Sequence, residues 1–199
     1  MKKQLLFLGL GGVLLASCAQ DDSVRYVDPG QPGRVAGTGI ESQDLAAAAQ
    51  KAAQSIVNLP AIANAVRPPV ILITPVTNRS ASPVDATLYT TKLRGALMQY
   101  SPDKARFLAR DASWNTNQQE QGLRQAGAVA DGGTAASGRQ GATYDYILTA
   151  ELQGISTATG KGQSDYFLIA FKLVNYQDLL IWENQYEIKK EGREAGVYR

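Results

Sequence analysis

The residue types that most often carry enzyme chemistry are scarce in this chain of 199 residues. It contains no His and a single Cys. Without His, a chain cannot build a Ser-His-Asp or Cys-His nucleophile, an imidazole general base or a His-containing metal site. A single Cys also excludes an intramolecular disulfide. Catalysis would therefore have to come from paired carboxylates or from a Ser-Lys dyad.

The spacing of the carboxylates does not favour an acid–base pair. Glu183 and Glu187 alternate with apolar residues of a predicted final strand, which places both on its solvent side. Asp145 and Glu151 share one predicted strand but lie roughly 20 Å apart along it, too far for joint action. The chain contains no Ser-x-x-Lys sequence, so no residues indicate a Ser-Lys dyad. We therefore expect no catalytic residues, no metal site and no cofactor.

A glycine-rich stretch superficially matches a phosphate-binding P-loop. The segment Gly154–Gly162 ends in Gly-Lys-Gly, but its spacing is one residue too long and Gly162 stands where a P-loop has Ser or Thr. A strand pattern follows it, whereas a P-loop opens a helix. We interpret the end of this stretch as a hairpin loop.

The single Cys follows an apolar run at the amino terminus. Residues 5–16 are twelve apolar or glycine residues, which suits a secretory signal peptide but falls short of the about 20 needed to span a bilayer. The sequence Leu15-Ala16-Ser17-Cys18 resembles the lipobox of bacterial lipoproteins, in which the Cys becomes acylated. We predict a signal peptide at 1–17, cleavage between Ser17 and Cys18, and lipid attachment to Cys18. A plain signal peptide, or a buried helix with an incidental Cys, is the alternative.

Cleavage at this position would change the charge balance. The whole chain has 20 basic and 18 acidic residues, and removal of Lys2 and Lys3 leaves 18 of each. A neutral mature chain gives no reason to expect a nucleic-acid partner. By resemblance to Gram-negative lipoproteins, Ala19 in place of Asp indicates the outer membrane, with the folded domain in the periplasm. Residues 18–39 are polar and rich in Gly and Pro, which predicts a flexible tether reaching at most ~70 Å.

Helical and strand patterns alternate through the first half of the folded region. Ser42 suits the start of a helix at about 43–58, and the β-branched run Val70–Ile73 predicts a central strand buried on both faces. Asp85 can cap a second long helix, and a strand at 106–109 follows. Strand, helix and strand of these lengths form a right-handed βαβ unit with parallel strands. The other predicted elements are a helical turn to Ala65, a third helix capped by Asp111 and ending near Gln125, and a loop at 127–141 with room for a short helix.

From Tyr144 onward the apolar period changes to two. Three runs of alternating residues, separated by turn-like breaks at Thr157–Gly162 and Tyr176–Asp178, predict an antiparallel meander. The predicted fold class is therefore α/β of the mixed α+β kind. Its five-stranded mixed sheet consists of a βαβ unit followed by the three-stranded meander, with helices packed on it. The predicted domain boundaries are 40–190 for the globular domain and 191–199 for a tail.

Two places in this fold could contact a partner. The loop Thr77–Ser80 follows the central strand at its carboxyl end, where open α/β sheets tend to present functional groups. In it, Arg79 offers a planar fork of donors for a carboxylate, and Asn78 either contacts the same partner or stabilises the turn while Arg79 points into solvent. Tyr176 lies in the turn between the last two strands, where an exposed aromatic ring suits an interface.

The ordered set of these features resembles the LpoB-type outer-membrane lipoproteins, which activate penicillin-binding proteins. The resemblance rests on Cys18 and the tether, the strand that runs into Asn78-Arg79-Ser80, and the helix after Asp85. It continues with Gly141-Ala142-Thr143-Tyr144 and ends with Ile181-Trp182, so it covers most of residues 42–190.

The resemblance implies a fold similar to the amino-terminal domain of TolB and a protein without catalytic residues. It implies a lipid-anchored regulator that binds a bifunctional class A penicillin-binding protein and stimulates peptidoglycan synthesis. The alternative resemblance is to the lipoprotein of the curli secretion channel, or to another envelope binding module. A channel of that kind needs additional amphipathic strands for a barrel wall, whereas one soluble meander explains the three runs here.

Overall fold

The computed structural model describes residues 26–33, 37–108, 110, 112–127 and 143–193. Several predictions concern residues outside these ranges and stay predictions: the signal peptide, cleavage after Ser17, lipid attachment at Cys18, the cap at Asp111, the short helix within 127–141, and the tail beyond Arg193.

The described residues form four helices and six strands, and all of these except the short strand β2 follow the order that the sequence pattern indicates. The helices are α1 (Ser42–Val57), α2 (Pro60–Ala63), α3 (Ala86–Tyr100) and α4 (Ala112–Gln125). The strands are β1 (Val70–Ile73), β2 (Thr77–Asn78), β3 (Arg106–Leu108), β4 (Tyr146–Thr159), β5 (Gly162–Asn175) and β6 (Leu180–Gly192).

The strands join in one mixed sheet with the order β3-β1-β4-β5-β6. The central strand β1 runs parallel to β3 on one side and to β4 on the other. The pairs β4–β5 and β5–β6 are antiparallel and run almost the full length of each strand. The structure thus confirms the predicted mixed α/β fold, with a βαβ unit followed by a three-stranded meander.

The short strand β2 corrects the predicted count of five strands. We expected a loop at Thr77–Ser80, but Thr77 and Asn78 pair in parallel with Glu151 and Leu152 of β4. The Arg79 amide extends this pairing by donating to the Leu152 carbonyl at 2.7 Å. The cause is the difference in strand length: the four-residue β1 covers only the start of β4, so the next backbone groups of β4 need another partner.

Apolar side chains from α1, α3 and one face of the sheet make the core. The small residues of α1, among them Ala48, Ala49 and Ala52, are buried and let this helix approach its neighbours closely. In α3 the predicted cap is confirmed, since the Asp85 carboxylate accepts from the Thr87 amide at 2.7 Å. The fully buried large side chains are Tyr89, Phe167, Phe171, Ile56, Ile62, Ile71, Leu93, Leu97, Leu148, Leu152, Ile169 and Leu173.

A charged cluster joins the start of α1 to the end of β6. The cap residue is Glu41 and not Ser42 as we expected, because the Glu41 amide donates to the Asp44 carboxylate at 2.9 Å. The Lys190 ammonium lies 2.6 Å from Asp44 Oδ2 and 3.5 Å from Glu41 Oε2, and it donates to the Gly39 carbonyl at 3.0 Å. These contacts hold the residues that lead into α1 against β6. None of the described helices is long and apolar enough to span a bilayer.

Candidate protein-binding face of the sheet

The strand alternation that buries one side of the meander leaves the other side open and mostly polar at its centre. Leu148, Ala150 and Leu152 of β4 point into the core, so the intervening residues point the opposite way. The same holds for β5 and β6. We call this side the open face. Its central residues are Thr149, Glu151, Gln153, Leu168, Ala170, Lys172, Glu183 and Gln185.

A cleft of about 380 Å³ lies on the open face. Thr74, Pro75 and Thr77 form its wall on the β1 side, and residues of β4, β5 and β6 form its floor. The cleft therefore lies at the carboxyl end of β1, beside the loop that the sequence singled out. This is the edge where open α/β sheets tend to place their binding groups.

Asn78 shapes the loop at this edge through its side-chain amide. Its Nδ2 donates to the carbonyls of Ser82 at 2.9 Å and Val84 at 3.3 Å. Its Oδ1 accepts from the Ser80 amide at 2.9 Å and from the Ser80 hydroxyl at 2.8 Å. The side chain thus ties both arms of the loop together, as in the turn interpretation of Asn78. Direct contact of Asn78 with a partner stays a prediction.

Arg79 lies beside the open face and is held only loosely. Its Nε lies 3.0 Å from Glu151 Oε1, and 68% of the Arg79 side chain is exposed. The same oxygen of Glu151 also accepts from Gln153 Nε2 at 2.9 Å. An ion pair this exposed contributes about 0–1 kcal/mol, so a carboxylate on a partner can compete for the guanidinium. Through Glu151, which lines the cleft together with Gln153, Arg79 lies beside the cleft.

Further charges of both signs follow across β5 and β6. Lys172 Nζ lies 3.6 Å from Glu183 Oε1, and both side chains are more than one-third exposed. Partial burial, together with the neighbouring Glu187 carboxylate, raises the pKa of the Tyr166 hydroxyl above its ordinary value. The open face therefore combines hydrogen-bonding and charged groups with the apolar side chains of Leu168 and Ala170, which suits recognition of a complementary protein surface.

The carboxylates that the sequence raised as an acid–base pair take separate partners. Asp145 lies just before β4, where it pairs with Arg67 at 2.7 Å and accepts from the Val70 amide at 2.8 Å. Glu151 pairs with Arg79. Within the part of the chain that the structure describes, no group of three or more His, Cys, Asp or Glu residues could hold a metal ion.

Comparison with known proteins gives the family. A family model with the description "Peptidoglycan-synthase activator LpoB" matches residues 44–188, which is most of the folded region. The chain belongs to the LpoB family. This confirms the resemblance that the sequence carries. No curated protein sequence matches the chain.

Solved structures similar to this LpoB-family chain share little sequence with it. The LpoB C-terminal domain from Salmonella enterica is 17% identical, with a TM-score of 0.45; the match covers 74% of this chain and 99% of that one. The NMR structure of E. coli LpoB is 15% identical, with a TM-score of 0.42, and 96% of each chain is covered. Lipoprotein GNA1162 from Neisseria meningitidis is 13% identical, with a TM-score of 0.39, covering 65% of this chain and 88% of that one.

Tyr176, the third residue of this LpoB-family chain that the sequence indicated as a partner contact, lies away from Asn78 and Arg79. It is 70% exposed in the turn between β5 and β6. Ile169, which pairs with Leu152 beside Arg79, precedes Tyr176 by seven residues, so Tyr176 lies roughly 23 Å further along the strand. Leu179 and Leu180 of the same turn are also more than half exposed. Asn78 and Arg79 thus lie at one edge of the sheet, and Tyr176 lies in a second surface that includes exposed apolar side chains.

Sequence reasoning missed one residue of β4 and one of β5 on the open face. We expected neither Lys172 nor Gln153 in a binding surface, although both line the cleft beside Glu183 and Glu151. The available signal was the strand period, because Lys172 alternates with the buried Phe171 and Leu173 and must point away from the core.

Proposed function

We propose that this chain is a lipid-anchored, non-catalytic regulator that binds and activates a bifunctional class A penicillin-binding protein. The observation that carries the proposal is the match of the synthase-activator family to residues 44–188. The open face supports it, because a cleft flanked by exposed ion pairs presents hydrogen-bonding groups for a protein surface. In this proposal the protein changes the rate of the synthase by contact.

The contact that we propose is centred on Arg79. Asn78 fixes the loop, Glu151 orients the guanidinium, and the exposed fork is available to a carboxylate of the synthase. Tyr176 is proposed as a second contact, since its turn presents exposed apolar side chains. The anchor of this proposal is the acylated Cys18, which places the domain in the periplasm at the outer membrane.

The test is a polymerisation assay with the full mature lipoprotein in detergent and the class A synthase of the same organism. We expect the lipoprotein to raise the rate of glycan polymerisation and to bind the synthase. If it neither bound nor changed the rate of polymerisation or cross-linking, the activator proposal would be wrong.

Two arginine variants locate the contact. We expect Arg79→Ala to weaken binding to the synthase without lowering the melting temperature, because its ion pair is exposed. Arg67→Ala is the matched control, since Arg67 is equally exposed and paired with a carboxylate, but at the opposite end of β1. Equal loss of binding in both variants would argue against a contact at Arg79.

A further inference from the structure

The residues directly before α1 are part of the folded domain, although the sequence predicts a tether up to position 39. Thr38 is only 4% exposed, and Ile40 packs against the hydrophobic core. The Gly39 carbonyl accepts a hydrogen bond from Lys190 at 3.0 Å. We call residues 37–41 the inner segment. Burial and the contact with Lys190 together hold it against β6.

A second contact joins the chain to the domain further toward the amino terminus. Asp28 begins a tight turn, in which its carboxylate accepts from the Gly30 amide at 2.8 Å. The carbonyl of Pro29, in the same turn, accepts from the Ser42 hydroxyl at 2.7 Å. We call this hydrogen bond the Pro29 contact. It ties the turn to the first residue of α1, whereas residues 26–32 are exposed and add little burial to it.

The Pro29 contact shortens the part of the chain that can reach away from the domain. While the contact is formed, the residues between Pro29 and Ser42 add nothing to the distance from Cys18 to the domain. The twelve residues 18–29 then span at most ~40 Å. When the contact is broken and the inner segment stays in place, the twenty residues 18–37 span at most ~70 Å. The same chain therefore has two reaches, which differ by roughly 30 Å.

The Pro29 contact is the weaker of the two attachments. A single exposed hydrogen bond between neutral groups shifts an equilibrium by about two- to tenfold, and closing the loop between Pro29 and Ser42 opposes it by restricting the chain. The inner segment is held by more, because Thr38 is buried and Lys190 also lies 2.6 Å from Asp44 Oδ2. The Pro29 contact therefore breaks first, and both of its states are populated.

We propose that the hydrogen bond between Ser42 and Pro29 is a two-state control of reach. The formed contact keeps the domain within ~40 Å of its anchor, and the broken contact lets it extend to ~70 Å. This rests on the proposed function in one respect, since reach has meaning only for a chain anchored at Cys18. A partner that lies beyond the shorter reach binds the extended state, so its apparent affinity falls by the fraction of chains in that state. Binding of such a partner in turn keeps the contact broken.

A distance measurement tests the contact without the anchor or the synthase. The full mature chain with Cys18→Ala contains no other Cys, so spin labels at Tyr26→Cys and Gln50→Cys report the separation between the turn and α1. Both native side chains are exposed. By double electron–electron resonance we expect a narrow population at short distance and a broad one at longer distance. Ser42→Ala should lower the short-distance population by about threefold or more, because it removes the donor.

The conservative variant Ser42→Thr is the matched control. It keeps a hydroxyl at the first position of α1 and should keep the short-distance population. Ala suits a helix, so Ser42→Ala should leave the melting temperature of the domain unchanged or slightly higher. An unchanged distance distribution in Ser42→Ala would overturn the proposal. A wild-type chain that shows the broad population alone would overturn it as well.

A disulfide at the same place tests the consequence for reach. The Pro29 carbonyl and the Ser42 hydroxyl are 2.7 Å apart, which brings the two residues close enough for an engineered bridge. We expect the lipoprotein with Pro29→Cys and Ser42→Cys to form this disulfide, with Pro29→Cys alone as the control. The oxidised protein should activate the purified synthase in detergent as the reduced one does. In intact envelopes it should support peptidoglycan synthesis several-fold less, and reduction should restore the rate.

The outcomes separate the control of reach from the proposed function. Failure of the disulfide to form would count against the closed state of the chain. Equal rates of peptidoglycan synthesis in envelopes with the oxidised and the reduced protein would overturn the control of reach alone. If neither form activated the synthase in detergent, the proposed function would be wrong, and the distance measurement would still decide whether the Pro29 contact has two states.

Discussion

Tyr89 is the largest residue of α3 in the core, and its hydroxyl has no hydrogen-bond partner among the described residues. Burial, with a smaller contribution from Tyr186, raises the pKa of Tyr89 far above its ordinary value, so the phenol stays neutral. A buried hydroxyl without a partner costs about 1–3 kcal/mol. We therefore expect Tyr89→Phe to raise the free energy of unfolding by about 1 kcal/mol, as measured by urea denaturation. A less stable variant would mean that the hydroxyl has a partner in the folded protein.

Glu41 makes the fold sensitive to acid where α1 meets β6. Partial burial opposes its ionisation, but the Gly37 amide, the Gln43 side chain and the Lys190 ammonium together hold the pKa of Glu41 below its ordinary value of 4.5. An acid with a lowered pKa stabilises the fold above pH 4.5, and this stability is lost as the pH falls through the lower, folded-state value. We expect the melting temperature of Glu41→Gln to depend less on pH in this window than that of the wild type.

The matching control is Asp28→Asn, since Asp28 is exposed and its carboxylate accepts a local bond from the Gly30 amide. We expect this variant to keep the acid dependence of the wild type. If Glu41→Gln also kept it, the cluster around Lys190 would not be a source of the acid sensitivity.

At the scale of elements, the hairpin between β4 and β5 depends on one glycine. Gly162 has φ of 141°, a region that side chains rarely adopt, and a Cβ there would meet the Gly192 carbonyl at the end of β6. Gly160 lies in the same turn with open space around it. We expect Gly162→Ala to lower the free energy of unfolding by about 1–3 kcal/mol and Gly160→Ala to change it by less than about 0.5 kcal/mol. Equal effects in thermal unfolding would show that the contact with β6 relaxes freely.

Elements with a strong internal pattern were predictable, and elements created by their neighbours were not. The run Val70–Ile73 and the alternation in β4 to β6 predict strands, because the order of apolar and polar residues within one segment indicates which side chains are buried. The strand β2 has only two residues, too few to show a period, and it forms because β4 has a free edge. Similarly, the position of Arg79 depends on its ion pair with Glu151. Glu151 is 72 residues away, so the residues around Arg79 give no indication of this pair.

At the scale of the whole molecule, the start of α1 and the open face lie on different sides of the sheet. The chain enters at α1, which packs on the core face, and Lys190 binds the segment that leads into it. The open face carries the cleft and Arg79 on the opposite side. A protein anchored through its amino terminus can therefore keep the open face accessible. The predicted tether would let the domain reach at most ~70 Å from the proposed anchor when fully extended.

The anchor should matter for where activation occurs and not for the contact itself. We expect Cys18→Ala to move the protein from the membrane fraction to the soluble periplasm. The reason is that the proposed acyl chains supply the membrane affinity, at about 0.8 kcal/mol per buried CH₂. The purified variant should activate the purified synthase as the wild type does, while peptidoglycan synthesis in cells should respond less. Ala19→Asp is the matched control: it keeps the lipid, and by resemblance to Gram-negative lipoproteins it should retain the protein at the inner membrane. Continued membrane association of Cys18→Ala would contradict the anchor, and a loss of activation in solution would mean that residues near Cys18 belong to the contact.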